Sequence, residues 1–324
     1  MSELNIAVIG CGKWGLNHVR TAHAIFGERL KLCCDSNPDS MHKVNEVAPE
    51  CVFTTEVDDV LNDNSVNAVI VSTTAETHFD ITKKLLEAGK HVLVEKPITL
   101  RSSEAKVLNK IALEKGLVLM VGHLLLYHPA ILKIKEYLDK GELGKLQYIY
   151  SNRLNLGTIR TEENILWSFA PHDISVIQFF AGSIPEEVKA TGAIFVQEGI
   201  QDTTLTYLNF KDNIHAHIYV SWLHPFKEQR LVVIGDKSMI VFEDSVKTDK
   251  LKFYRKGFEL VNGTPVKIDS EFESIDFEST SPLELEQRHF IECIEQGKIP
   301  RTDGVNAIEV LETLERAQQE LTND

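Results

Sequence analysis

The chain has 324 residues, of which 43% are hydrophobic and 25% are charged. These values are typical of a folded globular protein, and the length suggests about two domains. The 48 acidic side chains outnumber the 34 basic ones and give a formal net charge of −14. Because such a surface repels phosphate backbones and acidic lipids, the composition argues against a nucleic-acid or membrane partner.

Cysteine usage and the amino terminus predict a cytoplasmic protein. The five cysteines are Cys11, Cys33, Cys34, Cys51 and Cys293. Their number is odd and their spacing matches no metal-binding pattern, so we expect reduced thiols and no metal. The first residues show no signal-peptide pattern, and no stretch approaches the roughly 20 apolar residues that cross a bilayer.

Strand-like and helix-like segments alternate over the first third of the chain. The predicted strands are Leu4–Ile9, Leu30–Asp35, Ala68–Ser72, His91–Val94 and Leu117–Val121. The predicted helices are Leu16–Phe26, Pro38–Val47 with Asn37 as its cap, His78–Ala88 and Ser102–Lys115. This alternation predicts an α/β domain over residues 1–122, a doubly wound parallel sheet with helices on both faces.

The pattern changes after about residue 125. The predicted helices there are Pro129–Lys140, Ala170–Phe180, Pro282–Gln296 and Val305–Gln319. The predicted strands are Leu146–Leu154, Val188–Phe195, Thr203–Phe210, Ile214–Trp222, Gln229–Ile234 and Ser238–Phe242. Tight turns between consecutive strands favour a largely antiparallel sheet, so we predict a second, α+β domain over residues 123–324. Its last helix can pack back on the first domain. Residues 244–281 give no clear pattern.

A glycine-rich turn separates the first predicted strand from the first predicted helix. It reads Gly10-Cys11-Gly12-Lys13-Trp14-Gly15. In this context the first glycine permits a tight turn, the second lets the backbone approach a pyrophosphate, and the third allows close packing of helix on strand. The helix amino terminus then attracts the phosphates. A purely structural glycine turn is the alternative.

An acidic residue stands at the position that selects the coenzyme. Asp35 ends the second predicted strand and is followed by Ser36, with no arginine nearby. A carboxylate there accepts hydrogen bonds from the adenosine ribose and repels a 2′-phosphate, so we predict NAD rather than NADP.

Two further motifs carry a family resemblance. They are Thr77-His78-Phe79 and Ala88-Gly89-Lys90-His91-Val92-Leu93-Val94-Glu95-Lys96-Pro97. Together with the glycine turn they resemble the Gfo/Idh/MocA oxidoreductases over essentially the whole chain. The resemblance implies a Rossmann domain, an open-faced carboxyl-terminal sheet and a cis peptide bond before Pro97. Beyond the glycine turn, Asp35 and Ser36, we predict coenzyme contacts from Ser72, Thr73, Thr74, His78, Glu95, Lys96, Pro97 and His123. Packing roles for His78 and His123 are the alternative.

Within the family, one stretch resembles members that act on nucleotide-linked amino sugars. It contains Arg153-Leu154-Asn155-Leu156-Gly157, Arg160, Trp167 and Ala170-Pro171-His172-Asp173-Ile174-Ser175. This resemblance implies oxidation at C3 of UDP-N-acetylglucosamine or its uronate. The family typically has an aspartate four residues before its catalytic histidine, where this chain has Ser168. Asp173, Ser168 or a main-chain carbonyl could orient the imidazole instead, and the departure argues against an inositol dehydrogenase.

Oxidation of an alcohol by NAD needs a proton acceptor and an electropositive group beside the oxygen. Lys96 ends a predicted parallel strand, where open α/β sheets bind ligands, and is the candidate electropositive group. His172 is the candidate base. It is predicted at a helix start with Pro171 in the first turn, where the helix dipole would keep the ring neutral. The alternatives are a surface lysine and a helix-capping histidine.

The predicted substrate contacts combine anion-binding side chains with aromatic and polar ones. They are Lys96, Tyr127, Arg153, Asn155, Arg160, Trp167 and His172. Arginines bind diphosphates and carboxylates bidentately, and ordinary surface arginines are the alternative. His215 and His217 alternate on one strand without a nearby third ligand, so no metal is predicted.

Two other functions stay open at this point. A dehydrogenase of an unlinked sugar or inositol-like polyol would need neither Arg153 nor Arg160, because its substrate is neutral. A non-catalytic NAD-dependent regulatory sensor could keep the glycines and lose the chemistry, but Lys96 and His172 argue against it. The exposed sheet predicts a homodimer or homotetramer.

Overall fold

A computed structural model describes residues 4–322 of the chain. The chain divides into two compact units. The first contains the residues up to Tyr127 together with Thr280–Leu311, and the second contains His128–Ser279 together with the residues from Glu312 onward.

The first unit is built on a six-stranded parallel sheet. Its strands are β1 (Asn5–Ile9), β2 (Leu30–Cys34), β3 (Val52–Thr54), β4 (Val66–Val71), β5 (His91–Val94) and β6 (Leu119–Val121). Their order is β3-β2-β1-β4-β5-β6. The order reverses between β1 and β4, and ligands of open α/β sheets bind beyond the carboxyl ends of the strands at such a reversal.

Helices connect these parallel strands. They are α1 (Gly15–Phe26), α2 (Ser40–Val47), α3 (Val57–Asn62), α4 (Ala75–Glu87) and α5 (Ser102–Lys115). The prediction missed β3 and α3, which are too short to show a clear periodicity. Asn37 was wrong as the cap of α2, because the helix begins later and its N-cap is Asp39. Asn37 instead accepts the Asp39 N–H at 3.0 Å in a local turn.

The second unit is built on an eight-stranded mixed sheet. After α6 (Pro129–Asp139), its elements are β7 (Leu146–Leu154), α7 (Ile165–Ala181), β8 (Glu187–Ala193), β9 (Thr203–Phe210), β10 (Ile214–Ser221), β11 (Glu228–Gly235), β12 (Met239–Glu243), β13 (Leu251–Tyr254), β14 (Gly257–Val261), β15 (Thr264–Ile268) and β16 (Phe272–Ser274). The strand order is β16-β13-β12-β11-β7-β10-β9-β8, and β14 with β15 forms a separate hairpin.

One pairing departs from an antiparallel sheet. β7 and β10 run parallel, with Tyr148 opposite His215 and Arg153 opposite Val220. Parallel neighbours need a long crossover connection, and here the chain passes through α7, β8 and β9 before β10. Helix α7 packs on β7, β9 and β10 and covers one face of the sheet.

Two helices complete the chain. α8 (Pro282–Gln296) belongs to the first unit and packs against α1. α9 (Gly304–Thr322) begins in the first unit and ends in the second. Among residues 4–322, no helix combines the length and the apolar composition needed to cross a membrane.

Candidate functional site

The glycine turn has the shape that a dinucleotide requires. Gly10 adopts φ +91°, and a side chain there would lie 2.6 Å from the backbone of Ser72 and Thr73. A Cβ on Gly15 would lie 1.8 Å from the Gly10 carbonyl oxygen, so helix α1 packs directly on the turn. A Cβ on Gly12 would meet no described atom within 4 Å. The open side of the turn at Gly12 therefore fits a pyrophosphate beside the amino terminus of α1.

Asp35 lies directly after β2 and is held by backbone donors. Cys11 N–H donates to Asp35 Oδ2 at 2.6 Å, and Asn37 N–H donates to Oδ1 at 2.8 Å. The carboxylate is half-buried, whereas Ser36 beside it is exposed. These bonds fix Asp35 next to the glycine turn, in the position that suits a ribose diol.

The loops after β4 and β5 are joined through His78. Its Nδ1 lies 2.7 Å from the Pro97 carbonyl oxygen and its Nε2 lies 3.1 Å from that of Thr73. Burial lowers the pKa of His78 although both contacts oppose the shift. Ser72 Oγ donates to the Gly10 carbonyl at 2.8 Å, and the Lys96–Pro97 bond is cis. The predicted coenzyme residues of the first unit thus lie at one edge of the sheet, where Lys13, Trp14 and Thr74 are exposed.

Glu95 lies between the glycine turn and Lys96. Trp14 Nε1–H donates to Glu95 Oε1 at 2.6 Å, and His18 Nε2 lies 2.8 Å from the same oxygen. The Lys96 N–H donates to Glu95 Oε2 at 3.1 Å. Burial raises the pKa of Glu95, but the bonds from His18 and Trp14 outweigh it and the net pKa is lowered. Gly122 leaves room for this carboxylate, since a Cβ there would lie 2.9 Å from Oε2.

Three buried polar residues near Glu95 were missed by the sequence analysis. Gln287 Nε2 donates to His18 Nδ1 at 3.1 Å and to the His18 carbonyl at 3.2 Å, so His18 donates its Nε2 proton to Glu95. Glu286 is fully buried, and within the described residues neither of its carboxylate oxygens has a partner. Burial and the nearby Glu95 raise the pKa of Glu286 well above its usual range. The position of His18 on α1, the helix that follows the glycine turn, could have indicated that it lies near the coenzyme site. No pattern in the α8 segment pointed to Glu286 or Gln287.

His123 and Tyr127 follow β6 and are both buried. Burial lowers the pKa of His123 to about 4, and Nδ1 of this ring has no hydrogen-bond partner among the described residues. The Tyr127 hydroxyl lies 3.1 Å from Thr302 Oγ1, and the Arg301 guanidinium lies 5.0 Å from the centre of the tyrosine ring. Both residues therefore contribute to the packing of the first unit.

His172 lies inside helix α7, not at its start. The helix begins at Ile165 with Asn164 as the N-cap, whose side chain accepts the Trp167 N–H at 3.2 Å. Pro171 is an interior residue of the helix and not part of its first turn, which corrects the prediction. A proline in this apolar run was compatible with a helix start, but the asparagine cap lies further upstream. The helix-dipole effect fades beyond the first turn. The amino terminus of α7 is therefore too far from His172 to keep its ring neutral in the predicted way.

Arg153 and Asp173 form a buried ion pair. Arg153 Nε donates to Asp173 Oδ2 at 2.8 Å, and Arg153 Nη2 donates to Oδ1 at 3.1 Å. Ser151 Oγ also donates to Oδ1, at 2.6 Å. Burial lowers the pKa of Arg153 but Asp173 raises it, and the net pKa is raised. The pair ties β7 to α7 at the residue next to His172.

The other predicted substrate residues lie before and within the first turn of α7. Asn155 donates its N–H to the Ser221 carbonyl at 3.1 Å. Arg160 is 46% exposed and pairs with Glu162 at 3.3 Å and with Glu163 at 3.2 Å. Trp167 is half-buried, and its Nε1–H donates to Gln318 Oε1 at 3.0 Å. The indole is thus fixed, while the Arg160 guanidinium remains open to solvent.

His215 and His217 lie on the face of the sheet opposite α7. His217 stacks on Tyr150 with 5.2 Å between ring centres, and its Nδ1 bonds the Tyr148 hydroxyl. His215 Nδ1 bonds the Tyr207 hydroxyl at 2.5 Å. In residues 4–322, no group of three or more His, Cys, Asp or Glu side chains could hold a metal ion.

The reversed strand order, the glycine turn and Asp35 together are the features of a dinucleotide-binding Rossmann domain. Residues 4–123 match the oxidoreductase family with the NAD-binding Rossmann fold, and residues 131–241 match the GFO/IDH/MocA C-terminal domain. The chain belongs to the Gfo/Idh/MocA family and is an NAD-dependent dehydrogenase. The predicted fold class, enzyme class and coenzyme are confirmed.

Two curated relatives span nearly the whole chain. The scyllo-inositol 2-dehydrogenase (NAD(+)) of Bacillus subtilis is 28% identical over 94% of this chain and 90% of its own length. The UDP-N-acetylglucosamine 3-dehydrogenase of Acidithiobacillus ferrooxidans is 28% identical over 96% of this chain and 95% of its own. The solved structure of that second enzyme, GnnA, covers 100% of this chain and 99% of its own at 25% identity, with a TM-score of 0.86.

Proposed function

We propose that the chain oxidises a secondary alcohol of a sugar, at C3 of a UDP-N-acetyl-hexosamine or its uronate. The resemblance of residues 153–175 to family members that act on nucleotide-linked amino sugars carries this choice, and Ser168 argues against an inositol substrate. This serine is buried and precedes His172 by one helical turn, at the position where the family pattern has an aspartate. The nearest acidic side chain along the helix, Asp173, is engaged by Arg153 and Ser151. This arrangement departs from the inositol dehydrogenase pattern, and the similarity to GnnA over the full chain supports the same choice.

The proposed chemistry assigns one task to each residue. His172 accepts the proton of the reacting hydroxyl, since an imidazole accepts protons readily near neutral pH. The Lys96 ammonium donates a hydrogen bond to the same oxygen and stabilises the charge that develops on it. NAD supplies the hydride acceptor when it is bound.

The nucleotide-sugar would be recognised by the loop before α7. Arg160 is the exposed guanidinium there, so we assign it the diphosphate or the uronate carboxylate. Asn155 and Trp167 would contact the sugar or the base. Arg153 stays a predicted substrate residue, but its bidentate pair with Asp173 favours a role in holding α7.

A substrate panel tests the proposal. NADH formation is measured with UDP-N-acetylglucosamine, its uronate, scyllo-inositol, myo-inositol and free hexoses. We expect turnover of one UDP-sugar, and Arg160→Ala should raise the KM for that sugar by about tenfold or more, as the loss of a charged contact does. The matched control is Arg288→Ala, an exposed arginine on α8. Turnover of inositols alone would reject the nucleotide-sugar assignment.

The second candidate is an inositol-like polyol dehydrogenase. The observation that favours it is the scyllo-inositol relative, whose identity equals that of the UDP-sugar relative. Under this alternative Arg160→Ala leaves turnover unchanged, because the substrate carries no charge.

We propose that the protein works as a homodimer or homotetramer. The face of the sheet opposite α7 exposes apolar and aromatic side chains, with Leu205 43% exposed and Tyr207 and Tyr219 each 36% exposed. A contiguous apolar sheet face of this kind is usually covered by another protein surface. Light scattering should give a mass above 36.6 kDa, and Leu205→Glu should lower it. A monomeric mass for the unaltered protein would reject self-association.

The environment that we propose is the reducing cytoplasm. All five cysteines are free thiols, and all are buried. We propose no nucleic-acid or membrane partner, because the net charge of −14 repels both kinds of surface.

A further inference from the structure

Glu95 connects two parts of the first unit that have separate tasks. Its Oε1 accepts from Trp14 of the glycine turn at 2.6 Å and from His18 of α1 at 2.8 Å. Its Oε2 accepts the backbone N–H of Lys96 at 3.1 Å. One carboxylate therefore spans the turn that suits a pyrophosphate and the loop that carries the proposed electropositive lysine.

The surroundings allow this carboxylate little freedom. Its side chain is 12% exposed, and Gly122 touches it with no room for a Cβ. His18 is itself held by two bonds from Gln287, so the ring cannot turn away from Glu95 without breaking them. Trp14 is the exposed end of the network, because it is 42% exposed and belongs to the glycine turn.

We propose that Glu95 is a positioning residue that couples occupation of the glycine turn to the placement of Lys96. An anion bound at the turn restrains Trp14 and the start of α1, and these hold Oε1. Fixing one carboxylate oxygen fixes the other, so the Lys96 backbone is set when the turn is filled. This inference rests on the proposed function of Lys96, and it concerns positioning and not proton transfer.

Glu95→Gln separates the two halves of the network. The amide oxygen can keep the bonds to Trp14 and His18, and the amide nitrogen then faces the Lys96 N–H, so two donors meet where one bond existed. Trp14→Phe does the reverse, because it removes the hydrogen bond from the indole to Glu95 and keeps the bond between Glu95 and the Lys96 N–H. Glu114→Gln is the matched control, since Glu114 lies 63% exposed on α5.

The test uses ADP, which carries the pyrophosphate and lacks the nicotinamide. The rate of Lys96 acetylation by acetic anhydride is followed by mass spectrometry with and without saturating ADP. We expect ADP to slow acetylation by about fivefold or more in the unaltered protein and in Glu114→Gln, a normal size for coupling between two sites. In Glu95→Gln the effect should fall below about twofold, and Trp14→Phe should lie between. The charge of ADP acts equally on all variants, so the difference isolates Glu95.

Turnover gives a second readout. With the substrate identified, Glu95→Gln should lower kcat by about ten- to one-hundredfold, as a misplaced catalytic group does. An ADP effect of equal size in Glu95→Gln, or no ADP effect in the unaltered protein, overturns the inference. If Glu95→Gln does not fold, Trp14→Phe decides, and an ADP effect as large in this variant as in the unaltered protein overturns the inference. If no sugar is turned over, the proposed function fails, while the acetylation experiment still tests the coupling.

Discussion

The Arg153 guanidinium donates two hydrogen bonds to the Asp173 carboxylate, of 2.8 Å and 3.1 Å. The side chains are only 15% and 4% exposed, and Asp173 adjoins His172 in α7. A buried pair of this geometry fixes the helix that carries the proposed base against strand β7.

Breaking this pair should destabilise the second unit. Arg153→Met leaves the Asp173 charge buried with Ser151 as its one side-chain donor among residues 4–322, so we expect a loss of about 3–5 kcal/mol in the free energy of unfolding. Urea denaturation measures the change. The control Arg288→Met removes an exposed pair with Glu284 and should cost less than about 0.5 kcal/mol. Equal small losses in both variants would contradict the structural role of Arg153.

Two glycines of the turn should respond differently to alanine. Gly15→Ala places a Cβ 1.8 Å from the Gly10 carbonyl and should lower the melting temperature as well as NAD affinity. Gly12→Ala meets no described atom within 4 Å, so the fold should persist. NAD affinity should still fall by about tenfold or more, because the methyl group takes the space for the pyrophosphate. Calorimetry with NAD and thermal melts distinguish the two cases, and unchanged affinity in Gly12→Ala would place the phosphates elsewhere.

His123 should make stability depend on pH in the acidic range. Its pKa in the fold is about 4, below the unfolded value of about 6.5, so the unfolded chain binds more protons between these values. This contribution is complete above about pH 6.5 and is lost as the pH falls toward 4, amounting to about 3 kcal/mol. Glu95 and Lys96 are the charged groups that act on the ring. His123→Gln should flatten the slope of unfolding free energy against pH, and an unaltered slope would show that other groups cause it.

Lys96 and His172 should be separable from coenzyme binding. Lys96→Met should abolish measurable turnover and leave the Kd for NAD within about threefold, because the ammonium acts on the substrate oxygen. His172→Gln should lower kcat by about 10²–10⁴-fold and remove the acidic limb of its pH profile, since a neutral amide cannot accept the proton. Steady-state rates and calorimetry provide both numbers. Unchanged turnover in Lys96→Met would remove this residue from the mechanism.

Elements of both units show how much of the fold local sequence patterns predict. The segments His91–Val94 and Leu146–Leu154 were predicted with the bounds that the structure has, because apolar runs that end in turns report strands directly. The glycine turn and Asp35 were found because each depends on a few neighbours in the chain. The same reasoning wrongly placed His172 at a helix start, because proline is favoured in a first turn and disfavoured in the helix interior, where Pro171 lies.

The sequence by itself determined the parallel sheet, the glycine turn and the acidic residue that favours NAD, because hydrophobic period, glycine and strand-end positions are local properties of a chain. Only the tertiary structure decided that β7 runs parallel to β10, that Arg153 is paired with Asp173, and that Glu95 meets Trp14 and His18. Contacts such as the one between Glu95 and Trp14 join side chains 81 positions apart in the sequence. No period or spacing encodes them, because they arise when separate elements pack and buried polar groups must find partners.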